Sequence, residues 1–356
     1  MQTGWRIEKL KSVPKSRGLL FRLVAVVFGL TVAGATLAVL GFNPMTMVID
    51  ALSYTLGTSF GLQDLGTLVT PLLLTGLVAM VAMRVNLWNI GGEGQFYMGA
   101  WAAAGVGIYY DGPALVMMAV MFVAGSAMGA LWIALPAYAK ARANVDEIIT
   151  TLLMNFIAVL WVGYFASGPW RDPKETITAS SLKIQYALPE WFGIWNIGIF
   201  FVLAVICFSW VLFNKTVWGY ETTYVGANAN SAKYAGIPSS RRIMTTMLIS
   251  GAIAGFAGVL EVSGTVSRLQ VGISSQFGYL GIVIAALAAG SHLGIIIAAV
   301  LMAILLNAGI IFETQGLSLN AVIALTGWLL LLVGIAQVAA GFRLTRVTTA
   351  GITRTT

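Results

Sequence analysis

Charged residues are scarce in this sequence. Asp, Glu, Lys and Arg make up 9% of the 356 residues, whereas an ordinary soluble protein has about 25%. A water-soluble chain of this length needs far more charge to cover its surface, and 58% of these residues are hydrophobic. The scarcity of charge therefore excludes a soluble domain and indicates a protein whose solvent is largely lipid.

Cysteine and histidine are scarcer still, with one residue of each, Cys207 and His292. One cysteine cannot form an internal disulfide, and the two residues cannot supply a Cys/His metal site. The two-histidine HExxH motif is excluded, and so is GxxxxGK[ST], because no Lys follows a Gly. We therefore expect no catalytic residues, metal or cofactor in this chain. If ATP drives its function, another chain must bind the ATP.

Long apolar runs are abundant. A hydrocarbon core of about 30 Å requires roughly 20 apolar residues per helix. On that rule we predict an all-α, polytopic membrane bundle of about ten transmembrane helices, of which the eighth is short enough to be re-entrant. Met45–Phe60 carries several polar residues and is predicted as an interfacial helix. The predicted spans are Leu19–Gly41, Gln63–Met83, Gln95–Tyr110, Pro113–Pro136, Glu147–Ala166, Asn196–Phe213, Met244–Val262, Gly278–Gly290, Gly294–Phe312 and Leu319–Ala340.

The positive charges test this map independently. With the N-terminus inside, 16 of the 20 Lys and Arg residues fall on the cytoplasmic side and 4 fall outside. One miscounted span would exchange the sides downstream, so we predict an even number of spans with both termini cytoplasmic. The predicted domains are a basic tail (1–18), a transmembrane domain (19–340) with a cytoplasmic loop at 214–243, and a C-terminal tail (341–356).

Glycines recur at a spacing of four residues within the spans. Such small-xxx-small pairs let helix backbones approach closely in lipid. With 40 glycines in the chain, each match alone is weak, and together they predict tight packing and nothing more specific. The pairs are Gly125/Gly129, Gly251/Gly255 and Gly290/Gly294.

The segment Arg84–Gly99, RVNLWNIGGEGQFYMG, concentrates amide and carboxyl side chains around three glycines. It has two interpretations: a capped cytoplasmic turn that starts the third span, or a broken helix that shapes a translocation route, because non-helical backbone at membrane depth must be buried or line water. Glu93 lies close to a helix N-terminus, where the helix dipole favours a carboxylate.

Polar residues deeper in the spans are also open to two interpretations. Thr151 and Asn155 share one helix face, and Asn307 is alone in the ninth span. Such residues join helices or contact a solute. The candidate pathway residues are Trp88, Asn89, Glu93, Gln95, Asn155, Phe156 and Asn307.

The cytoplasmic loop Asn214–Arg242 contains GANANSAKYAGIP, which has the marks of a short, self-contained helix. Asn228 can cap its start, Gly236 can end it, and Pro238 prevents its continuation. A capped helix between two spans offers a soluble partner a rigid handle.

Three blocks resemble a known family: LWNIGGEGQFYMGA (Leu87–Ala100), NVDEIITTLLMNFIA (Asn144–Ala158) and the run from Gly226 to Val262. The chain is similar over most of its length to the permeases of bacterial ABC importers for simple sugars, nucleosides and branched-chain amino acids. NIGGEGQ, MNFIA and GPWRDP (Gly168–Pro173) favour the nucleoside group. The segment 168–195 varies too much to be matched residue by residue.

The resemblance implies a multi-pass protein of the bacterial inner membrane that works with three partners and does not bind nucleic acid. These partners are a cytoplasmic ATPase subunit, an extracytoplasmic substrate-binding protein and a second permease, with a heterodimer expected over a homodimer. The short helix would be the coupling helix seated in the ATPase. The coupling residues so implied are Gly226, Asn228, Asn230, Ala232, Tyr234, Ala235 and Gly236.

The function so expected is ATP-driven import of a small hydroxylated solute, a nucleoside, by a subunit with no chemistry of its own. The alternatives are a permease for a pentose or hexose and, from a different class, an ion-coupled secondary transporter. The latter normally has ionisable groups deep in its spans or two matching halves with broken helices. The later spans of this chain contain few ionisable residues.

Overall fold

The computed structural model describes residues 2–10, 15–175 and 178–349. The other residues, which include parts of both predicted tails, lie outside the described residues. Within the described part the chain is mostly helical, which confirms the all-α class. The helices are α1 (Lys15–Val39), α2 (Pro44–Gly57), α3 (Ser59–Met83), α4 (Gly92–Tyr109), α5 (Ala114–Ala143), α6 (Glu147–Ser167), α7 (Gly198–Lys215), α8 (Val217–Ala227), α9 (Ala229–Tyr234), α10 (Ser239–Glu261), α11 (Phe277–Ala288), α12 (His292–Thr314) and α13 (Leu319–Ala340). The strands are β1 (Gln2–Lys9), β2 (Glu190–Phe192), β3 (Trp195–Asn196) and β4 (Phe342–Thr349).

Each of the ten predicted spans coincides with one helix. Seven of the described helices, α1, α3, α5, α6, α7, α10 and α12, are long and apolar enough to cross a membrane. The predicted interfacial segment forms α2, whose 14 residues extend about 21 Å and cannot cross a core of about 30 Å.

The chain divides into two compact units, Met1–Leu52 with Ala308–Thr356, and Ser53–Asn307. In the first unit, α1 packs against α13, and β1 pairs antiparallel with β4 over its whole length. The segments predicted as tails therefore contribute the two strands of one sheet. Because these strands flank the first and last spans, their pairing brings the two ends of the chain to the same side, as an even number of spans requires.

In the second unit, α10 lies at the centre and packs against α3, α4 and α5. The contact between α10 and α5 is formed at two of the glycine pairs. A Cβ added to Gly255 would lie within 3.0 Å of the Gly125 carbonyl oxygen, and one added to Gly129 would come as close to the Gly251 carbonyl. Two of the three glycine pairs thus interlock with each other. The third pair lies at the α11–α12 turn, where Gly290 has a φ of +76°.

The eighth span is discontinuous. α11 has 12 residues, which extend about 18 Å and cover little more than half of the hydrocarbon core. The chain enters this span from the end of α10 through a π-helix, Val262–Val266, followed by the non-helical residues 267–276. This span therefore consists of irregular chain followed by a half-helix.

The interlocked glycines generate a stability prediction. Replacing Gly255 with Leu should separate α5 from α10, because its Cβ would collide with backbone atoms that cannot yield. We expect a loss above about 3 kcal/mol, beyond the usual cost of overpacking. The measurement is the yield and thermal midpoint of detergent-extracted protein.

Gly327→Leu is the matched control, because a Cβ there would meet no described atom within 4 Å. A Gly255→Leu protein as stable as this control would contradict the packing role.

Candidate functional site

Two breaks in the helical structure meet in the second unit. The first is the chain between the end of α3 and Gly92, and the second is the chain that precedes α11. Glu93 joins them. Its buried carboxylate accepts a hydrogen bond from the Gly278 backbone N–H at 2.9 Å and another from the Ser274 hydroxyl. Gln276, which precedes α11, provides no side-chain cap, so Glu93 caps this half-helix from another element.

Asn89 and Gln95 form a second connection within the first break. Their amides exchange two hydrogen bonds, of 2.9 and 2.8 Å. Asn89 also donates to the Ser250 hydroxyl of α10 at 2.8 Å, and Ser250 donates to the Val78 carbonyl of α3 at 2.8 Å. All three polar side chains are buried. The network fixes the start of α4 against both neighbouring helices.

Asn155 of α6 holds the same region from the other side. Its carbonyl oxygen accepts from the Gly94 backbone N–H at 2.9 Å, and its amide donates to the Ile90 carbonyl at 2.9 Å and the Tyr279 hydroxyl at 3.2 Å. The Thr151 hydroxyl, by contrast, bonds to a carbonyl of its own helix. Of the two predicted α6 polar residues, Asn155 is the one that joins elements.

The other three candidate pathway residues do not belong to this network. Trp88 and Phe156 are exposed, at 43% and 59%. Asn307 is buried in α12, and its amide nitrogen has no partner among the described residues. The seven candidates therefore fall into four buried connectors near the start of α4, two exposed aromatic residues and one separate amide.

The predicted coupling segment has the expected local structure. Asn228 caps α9 by accepting from the backbone N–H groups of Asn230 and Ser231 at 3.0 Å each, and Gly236 follows the helix with a φ of +79°. Tyr234 is 94% exposed. The remaining implied residues are Ala232, which is buried, Ala235, which is exposed, and Gly226 at the end of α8.

Gly226 connects this segment to the first break. A Cβ added there would lie within 3.0 Å of the Arg84 carbonyl, so α8 packs directly on the chain that leaves α3. An ion pair between Glu221 of α8 and Arg242 of α10 holds α8 to the central helix. The sequence interpretation treated the two segments separately.

The loop between α6 and α7 packs over the second break. Its backbone N–H groups at Ser181 and Ile184 donate to the carbonyls of Leu269 and Ser267 at 2.8 and 3.0 Å. Arg268 pairs with Asp172 at 2.7 Å. The Lys174 backbone N–H and the Arg268 guanidinium lower the pKa of the Asp172 carboxyl. This loop therefore pairs with backbone carbonyls of the irregular segment that would otherwise have no hydrogen-bond partner.

Sequence reasoning missed two features. Ser274 has no local signal, because its role appears only through its contact with Glu93. Glu261 did have a local sequence signal, since it is an acidic residue at the end of an apolar run. In the structure it is buried in α10 next to the π-helix. A buried carboxyl in a membrane span is a candidate functional group. The described residues contain no cluster of three His, Cys, Asp or Glu side chains that could hold a metal.

A helical membrane bundle with a buried polar network and a capped helix between spans is typical of a transporter subunit. Residues 61–334 match the family described as "Branched-chain amino acid transport system / permease component". The chain belongs to this family.

Three relatives extend over most of the chain. It is 32% identical to the guanosine ABC transporter permease protein of Bacillus subtilis, over 80% of this chain and 83% of that protein. It is 28% identical to the glucose ABC transporter permease protein of Haloferax volcanii (87% and 85%). It is 27% identical to the nucleoside ABC transporter permease protein of Lactococcus lactis (82% and 84%). No solved structure matches the chain.

The protein is therefore the permease subunit of an ABC importer, located in the inner membrane as a multi-pass protein. It is a transport component, and ATP hydrolysis belongs to a separate ATPase subunit. A substrate-binding protein is the other partner that membership of the family implies. The buried network therefore belongs to a transport subunit and does not catalyse a reaction of the substrate.

The cap on α11 generates a prediction. Replacing Glu93 with Ala leaves two buried donors without an acceptor, at about 1–3 kcal/mol each. Glu93→Gln keeps an amide oxygen for the Gly278 N–H and should cost about 1 kcal/mol. The measurement is the thermal midpoint of each purified variant, with uptake scaled to folded protein. If Gln proved as damaging as Ala, the negative charge would be required and capping alone would be insufficient.

Proposed function

We propose that this permease imports a nucleoside. The observation that carries the proposal is the similarity to the guanosine permease over four fifths of the chain. The nucleoside permease from another genus supports it. What each relative transports is a property of that relative, and the proposal transfers the substrate class only.

The chemistry of the described residues is compatible with a neutral, hydroxylated solute. A nucleoside presents an aromatic base and a ribose, which suit aromatic and amide side chains. Trp88 and Phe156 are exposed aromatic residues on the elements next to the network. We propose that these two contact the solute and that Asn89, Glu93, Gln95 and Asn155 shape its route from behind. Asn307 remains a candidate contact on α12.

We further propose that α9 docks in the ATPase subunit. The chain of contacts that supports this begins at the exposed Tyr234 and passes through α8 to Gly226, which packs on Arg84. The chain after Arg84 leads to Glu93 and the cap of α11. Movement of the ATPase could thus act on both helix breaks. The second permease is proposed to be a different chain, in keeping with the unlike pairs that the resemblance implies.

A sugar is the second candidate substrate. It is favoured by the glucose permease relative, which matches over 87% of this chain. A pentose or hexose could use the same amides and stack its apolar face on the same rings. The same side chains would therefore serve either substrate.

The substrate prediction is tested with the permease assembled with its partners in proteoliposomes. Labelled guanosine should accumulate in an ATP-dependent manner, and excess unlabelled guanosine should abolish its uptake while excess ribose and glucose do not. A complex with a hydrolysis-deficient ATPase is the control. Uptake of labelled glucose without uptake of guanosine would establish the sugar function instead.

The coupling prediction uses Ala235→Arg. Ala235 is exposed at the end of α9, so the added side chain can extend into water without disturbing the fold. We expect the variant to insert normally and to lose most ATPase binding, measured by co-purification. Ala143→Arg is the matched control, because Ala143 is exposed at the predicted cytoplasmic end of α5. Equal ATPase recovery from both variants would contradict docking at α9.

A further inference from the structure

The residues that precede α11 lie near the middle of the membrane. A Cβ added to Gly281 would come within 3.0 Å of the backbone of Thr75, which is well inside the 25-residue helix α3. At its other end, α11 is followed by Gly290, whose carbonyl accepts from Arg84 just after α3 ends. α11 therefore runs from one end of α3 to its central part, and Ser275 and Gln276, which directly precede α11, are at mid-membrane depth.

Several of these residues are exposed and irregular. Val271, Gly272, Ser275 and Gln276 are exposed, and none of them is in a helix. Ser275 and Gln276 have φ values of +45° and +63°, in the left-handed region that non-glycine residues seldom adopt. Polar, non-helical chain is not tolerated against lipid within the hydrocarbon core, and it occurs there only when it is buried in protein or lines water.

The same two residues are held rigidly from behind. The backbone N–H of Gln276 donates to the Ser274 hydroxyl at 3.2 Å, and that hydroxyl donates to Glu93. On the other flank, Tyr279 is bonded to Asn155. Strained backbone that is fixed by its surroundings clusters at functional sites. The arrangement presents one hydroxyl and one amide on a fixed support.

We propose that Ser275 and Gln276 line the solute passage at mid-membrane depth and hydrogen-bond the solute there. The proposal rests on the permease function and deepens it by naming a contact surface for a neutral solute with hydroxyl or amide groups. Hydroxyl and amide side chains offer both donors and acceptors, as a ribose or a nucleobase edge requires.

The test uses cysteine replacement, since Cys207 is the one native cysteine. In a Cys207→Ser background, Ser275→Cys and Gln276→Cys are introduced separately into the full complex in proteoliposomes. Leu131→Cys is the control. Leu131 is 66% exposed on α5 among apolar neighbours, so its position can face lipid and need not contact water. The probe is a charged methanethiosulfonate, and the readouts are its reaction rate, uptake of guanosine and of glucose, and ATP hydrolysis.

We expect positions 275 and 276 to react at least about tenfold faster than position 131, because the charged probe needs water. Modification should block uptake while ATP hydrolysis continues. A rate no faster than that of position 131, with an apolar maleimide reacting normally, would show that the segment is covered and overturn the proposal. Fast labelling with unchanged uptake would overturn it as well.

The labelling rate does not depend on which solute is transported, so the two hypotheses fail separately. If the parental complex takes up glucose and not guanosine, the nucleoside proposal fails. In that case, loss of glucose uptake after modification at positions 275 and 276 still supports their place in the solute passage.

Gln276→Gly tests the contribution of the Gln276 side chain, since glycine adopts positive φ freely. It should raise the KM for uptake at least about threefold with unchanged folding, as the loss of one hydrogen bond to a solute predicts.

Discussion

The organisation of this permease depends on the cap that Glu93 provides for α11. A helix that begins inside a bilayer exposes backbone N–H groups that lipid cannot satisfy. The Glu93 carboxylate supplies the acceptor from α4, 185 positions away in sequence from Gly278. Because the cap belongs to another element, α11 can begin at mid-membrane only while the break before α4 keeps its shape. The two breaks are therefore one structural unit.

The sequence predicted the features that depend on neighbouring residues, namely the positions of helices and of the cap of α9. The ten apolar runs located ten of the described helices, and Asn228 with Gly236 located α9, since capping chemistry acts within a few residues. Two glycine pairs predicted tight packing, but their interlocking became visible only in three dimensions. The partner of Glu93 could not be predicted, because nothing near Ser274 records a contact so distant in the chain. For the same reason, the sequence left the turn and broken-helix interpretations of Arg84–Gly99 open.

The glycine contacts explain how movement can pass between elements without a flexible link. At Gly226 the backbone of α8 touches the chain after α3 directly, with no side chain between them to absorb a displacement. The same holds where Gly255 meets α5. Close-packed interfaces shift between discrete arrangements and do not deform gradually. A displacement of α8 would therefore reach the chain that leads to Glu93, and through the cap it would reach the irregular segment before α11.

In this permease the buried acid Glu93 acts as a helix cap. An ion-coupled transporter uses intramembrane acids that exchange a proton or cation during each cycle. Here the Glu93 carboxylate accepts hydrogen bonds from the Ser274 hydroxyl and the Gly278 backbone N–H, and Glu261 is buried at the end of α10. Displacing the Glu93 carboxylate from these donors would leave the start of α11 without its cap. The energy for transport is supplied instead by ATP hydrolysis in the separate ATPase subunit, so Glu93 can remain the connection between the two helix breaks.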